Sequence, residues 1–211
     1  MTGAPHVNPS DVAAEWDQRY AKPGYTYGTV PNDFLASVAH RIPPGKVLSL
    51  GEGEGRNAVY LAGLGYHVTA IDVSSVGAEK TLRLAADRAL SVEAVVADLA
   101  SHQIAPASWN GITSIFCHMP APLRRRVHQA VVAGLIPGGV FVLEAYTPRQ
   151  LKYGTGGPPV RDLLVTLSEL RTELRGLDLE VAREIERDVQ EGRCHQGRSA
   201  VVQVLAVKRE A

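Results

Sequence analysis

Three glycines at alternate positions, Gly51, Gly53 and Gly55, follow an apolar run (Val47, Leu48, Leu50) and open a helical pattern at Asn57-Ala58-Val59-Tyr60-Leu61-Ala62. A second apolar run ends in Asp72. Glycines let a backbone come close to a ligand, and a carboxylate closing the second strand accepts from vicinal ribose hydroxyls. These residue types at this spacing do the chemistry of a nucleoside-cofactor site.

The gaps between the glycines narrow the cofactor. A dinucleotide fingerprint has its third glycine, which lets helix and strand pack over a pyrophosphate, where this chain has Arg56. Glu52 and Glu54 fill the gaps instead. Carboxylates repel a pyrophosphate and suit a cofactor bearing an ammonium or sulfonium group. S-adenosylmethionine has both, together with ribose hydroxyls for Asp72 and an adenine amino group for Asp98 in Val96-Ala97-Asp98-Leu99. An oxidoreductase binding NAD on the same topology is the rival expectation, and a non-catalytic cofactor-binding protein is a third.

The elements that must position these residues follow from periodicity. Apolar runs alternate with helical patterns, which predicts an α/β fold with a mainly parallel sheet. Strands are expected at 46–50, 67–72, 92–97, 112–117, 139–146, 179–188 and 199–207, with helices near 55–64, 75–89, 122–134 and 160–175. Ser74 or Ser75 caps the second helix, and Pro137-Gly138-Gly139 stops the third. Residues 190–198 are too few for a parallel crossover, so the last two strands form an antiparallel hairpin.

Composition excludes several classes. Lys plus Arg and Asp plus Glu both number 22, so no net field favours nucleic acid or an anionic membrane. The densest basic run, Arg124-Arg125-Arg126, reads as a solvated helix face. No secretory pattern opens the chain, and the mostly apolar stretch 130–143 is too short to span a bilayer. Cys117 and Cys194 give no disulfide framework and are expected to be buried. The pairs Cys117-His118 and Cys194-His195 point their members to opposite faces of a strand, so no metal site is expected. The expectation is one cytoplasmic domain spanning 1–211, a monomer or weak homodimer, with a small-molecule partner.

The glycine loop, Asp72, Ala97-Asp98, the LIPGG turn and the terminal hairpin together resemble class I S-adenosylmethionine-dependent methyltransferases over nearly the whole chain. Trp16-Asp17-Gln18-Arg19-Tyr20, Tyr27-Gly28, Pro31-Asn32, GEGEGRNAVYLA and GVFVLEAYTPRQLKYGTGGP are similar to the tellurite-resistance/thiopurine-methyltransferase-like branch, including small cyanobacterial members. The resemblance implies a Rossmann-like three-layer sandwich. Its seven-stranded sheet is mostly parallel with the last strand antiparallel, and an N-terminal helical lid (1–40) covers the core (41–211). It implies S-adenosylmethionine as donor and S-adenosylhomocysteine as product. Trp16, Tyr20, Tyr27, Gly51, Glu52, Gly53 and Arg56 would hold the cofactor. So would Asn57, Asp72, Val73, Ala97, Asp98, Leu99 and Cys117. The family usually has an acidic residue where this chain has Ser49, and Glu52 is expected to take over its part in ammonium recognition.

A second cluster belongs to the acceptor. Strands one, four and five end on the cofactor side, as does the turn between strands six and seven. His118, Glu144, Tyr146, the 149–159 loop and His195 should therefore converge over the methyl group. Methyl transfer is an in-line displacement, to which positioning contributes roughly 7–11 kcal/mol, so a soft nucleophile such as a thiol or a tellurium oxyanion needs little base help. A hydroxyl or amine benefits from a neutral histidine, His118 or His195. Tyr146 completes the catalytic set, while Glu144, Lys152 and Arg198 are the expected substrate contacts.

Overall fold

The computed structural model describes residues 9–209, so the first eight residues, which entered the signal-peptide reading, lie outside it. Strand β1 (Lys46–Leu50) pairs in parallel with β2 (His67–Asp72) and with β4 (Trp109–Ile115). β2 pairs with β3 (Glu93–Val96) and β4 with β5 (Leu135–Tyr146), again in parallel. β7 (His195–Lys208) runs antiparallel between β5 and β6 (Leu177–Glu191), giving the order β3-β2-β1-β4-β5-β7-β6. The seven-stranded α/β sheet with a reversed last strand is as expected.

Alternation along the strands makes the three layers. Val47, Val68, Ala70 and Val142 face a core shared with α2 (Asp33–Val38), α3 (Arg56–Gly63) and α4 (Ser75–Asp87). Leu48, Leu50, Ile71 and Leu143 face the other way, onto α5 (Ala121–Gly134) and α6 (Leu167–Glu173). Ser74 caps α4 by accepting from Gly77 N at 3.0 Å. The first helix, α1 (Pro9–Tyr20), is tied to that cap: Asp17 accepts from the Ser74 hydroxyl and from Val76 N.

Four local expectations need correction. The fourth strand stops at Ile115, because Phe116 turns out of it with φ +53° while its N–H donates to Glu144 O. The expected helix 160–175 shortens to α6, with a 3-10 turn at Arg161–Leu163 before it. Thr166 and Glu169 form a reciprocal capping box that sets the start of α6. Arg124 is no solvated residue: it is buried and pairs with Glu173 at 2.9 Å, linking α5 to α6, while Arg125 and Arg126 are exposed. Cys194 is exposed and Cys117 half-buried. Among the described residues no helix is long and apolar enough to cross a membrane.

Candidate functional site

The glycine loop bridges β1 and α3 in left-handed conformations that side chains resist. Gly51 has φ +59° and Gly53 +68°; a Cβ on Gly51 would lie 2.4 Å from Cys117 Sγ, and one on Gly53 would lie 2.6 Å from Tyr20 Oη. The loop is closed from β2: Gly53 N donates to Asp72 Oδ2 at 2.7 Å, and Ser74 N donates to Oδ1 at 2.9 Å. Burial raises the Asp72 pKa, against these backbone donors. Ala97 N donates to Asp72 O, bringing the end of β3 alongside, and Asp98 accepts from Ala100 N at 2.7 Å. Val73, Ala97, Asp98 and Leu99 are all half-buried around this corner. The burial of Cys117 pushes its thiol up to about 12, so it is neutral at physiological pH.

The two acidic residues in the gaps are engaged by the protein itself. Glu52 accepts from the backbone N–H groups of Asn57 and Ala58, both at 2.9 Å, so it caps α3. Its other oxygen accepts from the Ser49 hydroxyl, which in turn accepts from Thr113 at 2.9 Å. Glu54 accepts from Thr26 N at 2.6 Å and from Lys80 Nζ at 2.8 Å, pinning the N-terminal segment onto the loop. Their charge therefore goes to the start of α3, to Lys80 and to the N-terminal segment. The inference from acidic gaps to a cationic cofactor loses its physical basis, and the glycine geometry and Asp72 carry the assignment instead. Asn57 is turned away as well, accepting from Asn32 N at 2.9 Å.

Beyond the loop, seven rings pack together. Trp16 stacks on Tyr20, Tyr20 meets Tyr27 edge-on, and Tyr27 lies 4.6 Å from His195 between ring centroids. His195 touches Tyr146 and Phe116, and Tyr146 stacks on His118 at 5.6 Å with planes 12° apart. Three polar atoms inside this group, His118 Nε2, Tyr146 Oη and His195 Nδ1, are buried and make no hydrogen bond. Burial, helped by neighbouring His195, pushes His118 down to about 3; burial and nearby Arg56 lower His195 despite Glu191. Both imidazoles are neutral at pH 7. Burial likewise raises the Tyr146 phenol well above its ordinary range.

Charged groups surround the rings as closed pairs. Arg56 meets Glu191 at 2.6 Å, and Arg187 holds both Glu144 (2.8 Å) and Glu191 (3.1 Å). Glu144, fully buried, also accepts from Asn32 and Gln203. The structure thus gives Glu144 a scaffold role instead of the expected substrate contact, because its oxygens already have four donors. Arg198 is exposed and paired with Glu186 at 2.7 Å, and Lys152 is exposed at the end of the 3-10 turn Pro148–Lys152 after β5, so neither joins the ring cluster. His118, Tyr146 and His195 are brought together; Phe116, Asn32 and Glu191 belong with them and were not anticipated. Glu191 was legible as an acid four residues before His195 on a hairpin, whereas nothing local marks Phe116.

Comparison with known proteins agrees with this geometry. Residues 47–139 match the methyltransferase domain family. A 2-heptyl-1-hydroxyquinolin-4(1H)-one methyltransferase of Mycobacteroides abscessus is 26% identical over 145 residues, 67% of this chain and 64% of the relative. The match therefore spans less than two thirds of that protein's length. Among solved structures, one from work on conversion of a disulfide bond into a thioacetal group during echinomycin biosynthesis superposes with TM-score 0.74 at 18% identity, covering 93% of this chain and 89% of that one. TehB from Haemophilus influenzae gives 0.69 at 19% identity, covering 93% and 67%. The [4+2]-cyclase SpnF gives 0.70 at 15% identity, with both chains covered in full, so likeness at this level speaks for the fold alone. The segment that matches the methyltransferase domain family carries the glycine loop and Asp72, and its strands β1 to β4 lie in the parallel part of the sheet.

Proposed function

We propose that the protein transfers a methyl group from S-adenosylmethionine to a small molecule. One observation carries this reading: the cradle formed by Gly51, Gly53 and Asp72 adjoins a ring cluster in which His118 Nε2, Tyr146 Oη and His195 Nδ1 are buried without a direct hydrogen bond. A buried polar group without a hydrogen bond is costly, and three in one cluster fit a site that is completed by a ligand. The cradle suits a nucleoside with ribose hydroxyls toward Asp72 and adenine toward Asp98 and Leu99. Trp16, Tyr20 and Tyr27 would cover it from the N-terminal segment. When bound, S-adenosylmethionine supplies an electrophilic methyl on sulfonium.

The chain's own part is to exclude water, orient the acceptor and accept its proton. The rings supply the first two, and neutral His118 and His195 are available for the third. A thiol acceptor would need only the positioning. A tellurium oxyanion is served less well, because Arg56, Arg187 and Arg198 are each held by glutamate. The name of the Mycobacteroides relative, a methyltransferase for a hydroxyquinolinone, supports a small acceptor.

Thermal unfolding with S-adenosylhomocysteine or NADH tests the reading. Stabilisation by S-adenosylhomocysteine at a hundred times its dissociation constant should reach about 2.7 kcal/mol, with none from NADH. Stabilisation by NADH alone would restore the oxidoreductase reading. Binding without methylation of any thiol, hydroxyl or amine in a panel would leave a non-catalytic binding protein.

A further inference from the structure

Residues 21–24, which lead from α1 toward the buried Thr26, are exposed and bury no apolar side chain. Charged side chains from the core hold their backbone instead. Lys80, on α4, donates to Lys22 O at 3.0 Å, to Gly24 O at 2.6 Å and to Glu54 Oε1 at 2.8 Å. The other Glu54 oxygen accepts from the backbone N–H of Thr26 at 2.6 Å and of Tyr27 at 3.3 Å. A second grip comes from the β6–β7 turn, at the opposite end of the sheet from the strands β2 and β3 that α4 packs on. There Arg193 donates from its guanidinium to Pro23 O at 3.0 Å and from its backbone to Thr26 O at 2.8 Å. The turn comes this close through Gly192, where φ is +65° and a Cβ would lie 2.3 Å from Thr26 O.

This strap, residues 22–26, runs between Tyr20 and Tyr27, the tyrosines that would cover a bound nucleoside. Tyr20 sets its hydroxyl 2.6 Å from where a Cβ on Gly53 would sit. Tyr27 meets Tyr20 edge-on and takes Arg56 Nη1 on its carbonyl at 3.5 Å. A segment that buries little apolar surface opens at low cost, so the charge-assisted bonds of its fasteners decide how firmly it stays shut. Lys80 has three donors, and the three bonds above use them all, so it has none to offer a ligand. Arg193 likewise grips main-chain oxygen of the strap. Both residues therefore act on the cradle through the strap.

We propose that Lys80 and Arg193 are positioning residues for the cofactor: they fasten the strap from two elements and set the rate at which S-adenosylhomocysteine leaves the cradle. This deepens the methyltransferase reading above and rests on it. Opening the strap must break the Lys80 and Arg193 bonds together, since both sets end on residues 22–26. Release of the spent donor is thereby tied to the β6–β7 turn as well as to α4. A displacement of that turn lifts the grip on Pro23 and Thr26, so the position of the hairpin governs donor exchange.

The test loads the whole protein with labelled S-adenosylhomocysteine, chases it with excess unlabelled compound and follows the loss of label with time. Arg193→Gln and Lys80→Met should each speed release at least about threefold, and the double variant should be faster than either. Arg193→Lys keeps a charged donor on the turn and should release more slowly than Arg193→Gln, a rescue that a merely structural turn would not give. Lys80→Met leaves Glu54 buried without its cation, so if it does not fold, Arg193→Gln and its rescue decide alone. Release less than about threefold faster in either folded variant, a double variant no faster than the singles, or no rescue by Arg193→Lys overturns the proposal. Failure of the wild type to bind S-adenosylhomocysteine overturns the cofactor assignment itself, a separate failure.

Discussion

Arg56 Nη2 lies 2.6 Å from Glu191 Oε2 with both side chains buried, and this pair ties the first residue of α3 to the last residue of β6. The glycine loop ends at Gly55, so the cofactor cradle and the hairpin that carries His195 are joined by one ion pair. Arg187 and Asn32 complete the Glu191 environment at 3.1 and 2.8 Å.

Removing one partner of a buried pair leaves the other's charge uncompensated, which costs about 3–5 kcal/mol, whereas replacing both with apolar groups is often neutral. Arg187 softens the loss here, so Arg56→Met should cost about 3 kcal/mol by urea unfolding. Arg56→Met with Glu191→Met should recover only part of that, because Arg187 then loses a carboxylate. A neutral Arg56→Met would mean that Arg187 alone satisfies Glu191.

Glu191 also sets an acid limit. Burial raises its pKa, but His195 Nδ1 directed at it from 3.8 Å and the Arg56 and Arg187 guanidiniums together outweigh burial and hold the carboxyl at about 2. A folded-state pKa below the unfolded one adds stability at higher pH, where the carboxylate is ionised in both states. That contribution, of order 3 kcal/mol at 1.36 kcal/mol per unit, is present above about pH 4.5 and fades towards pH 2. Urea midpoints should therefore fall over this window in the wild type. Glu191→Gln should flatten the fall while lowering stability at pH 7; an unchanged slope would assign acid sensitivity to other carboxylates.

The fold was largely legible because strong punctuation brackets its first half. The strand ending at Leu50 runs into Gly51, and the strand ending at Asp72 runs into the Ser74 cap, so both were bounded correctly. Pairing that depends on a distant partner was not legible. β5 begins at Leu135, opposite Trp109, and carries Pro137-Gly138-Gly139 within it past a register shift, where local signals place a helix stop and a new strand. In the site, His118, Tyr146 and His195 followed from topology, since strand ends on one side of a sheet must meet. The destinations of Glu52, Glu54 and Glu144 did not follow. A carboxylate between glycines reads the same in sequence whether it faces a ligand, a helix N-terminus or a lysine.

Gly53 combines φ +68° with Tyr20 Oη 2.6 Å from where a Cβ would sit. An alanine there is strained by its own backbone, at about 1–3 kcal/mol, and displaces Tyr20 as well. Gly53→Ala should therefore lower stability by at least about 1 kcal/mol and abolish the thermal shift from S-adenosylhomocysteine. Pairing it with Tyr20→Phe separates the two causes. If the loss is steric contact with the hydroxyl, stability returns in part; if it is backbone strain, the double variant stays as unstable as Gly53→Ala.

Ser49 stands where the methyltransferases this chain resembles usually carry an acid, and the structure explains why an acid would not be an improvement. Ser49 is buried, donates to Glu52 and accepts from Thr113, so it feeds a hydrogen bond to a carboxylate that already caps α3. Ser49→Asp would set a second carboxylate against Glu52, where burial already raises the Glu52 pKa. Two like charges about 4 Å apart at an effective dielectric near 20 repel by roughly 4 kcal/mol, unless one protonates. Ser49→Asp should thus lose stability at pH 7, regain it as pH falls, and bind S-adenosylhomocysteine no more tightly than wild type. Ser49→Asp with Glu52→Gln restores a single carboxylate and should recover most of the loss in urea unfolding. Tighter cofactor binding by Ser49→Asp alone would mean that position 49 reaches the cofactor and that Glu52 does not stand in its way.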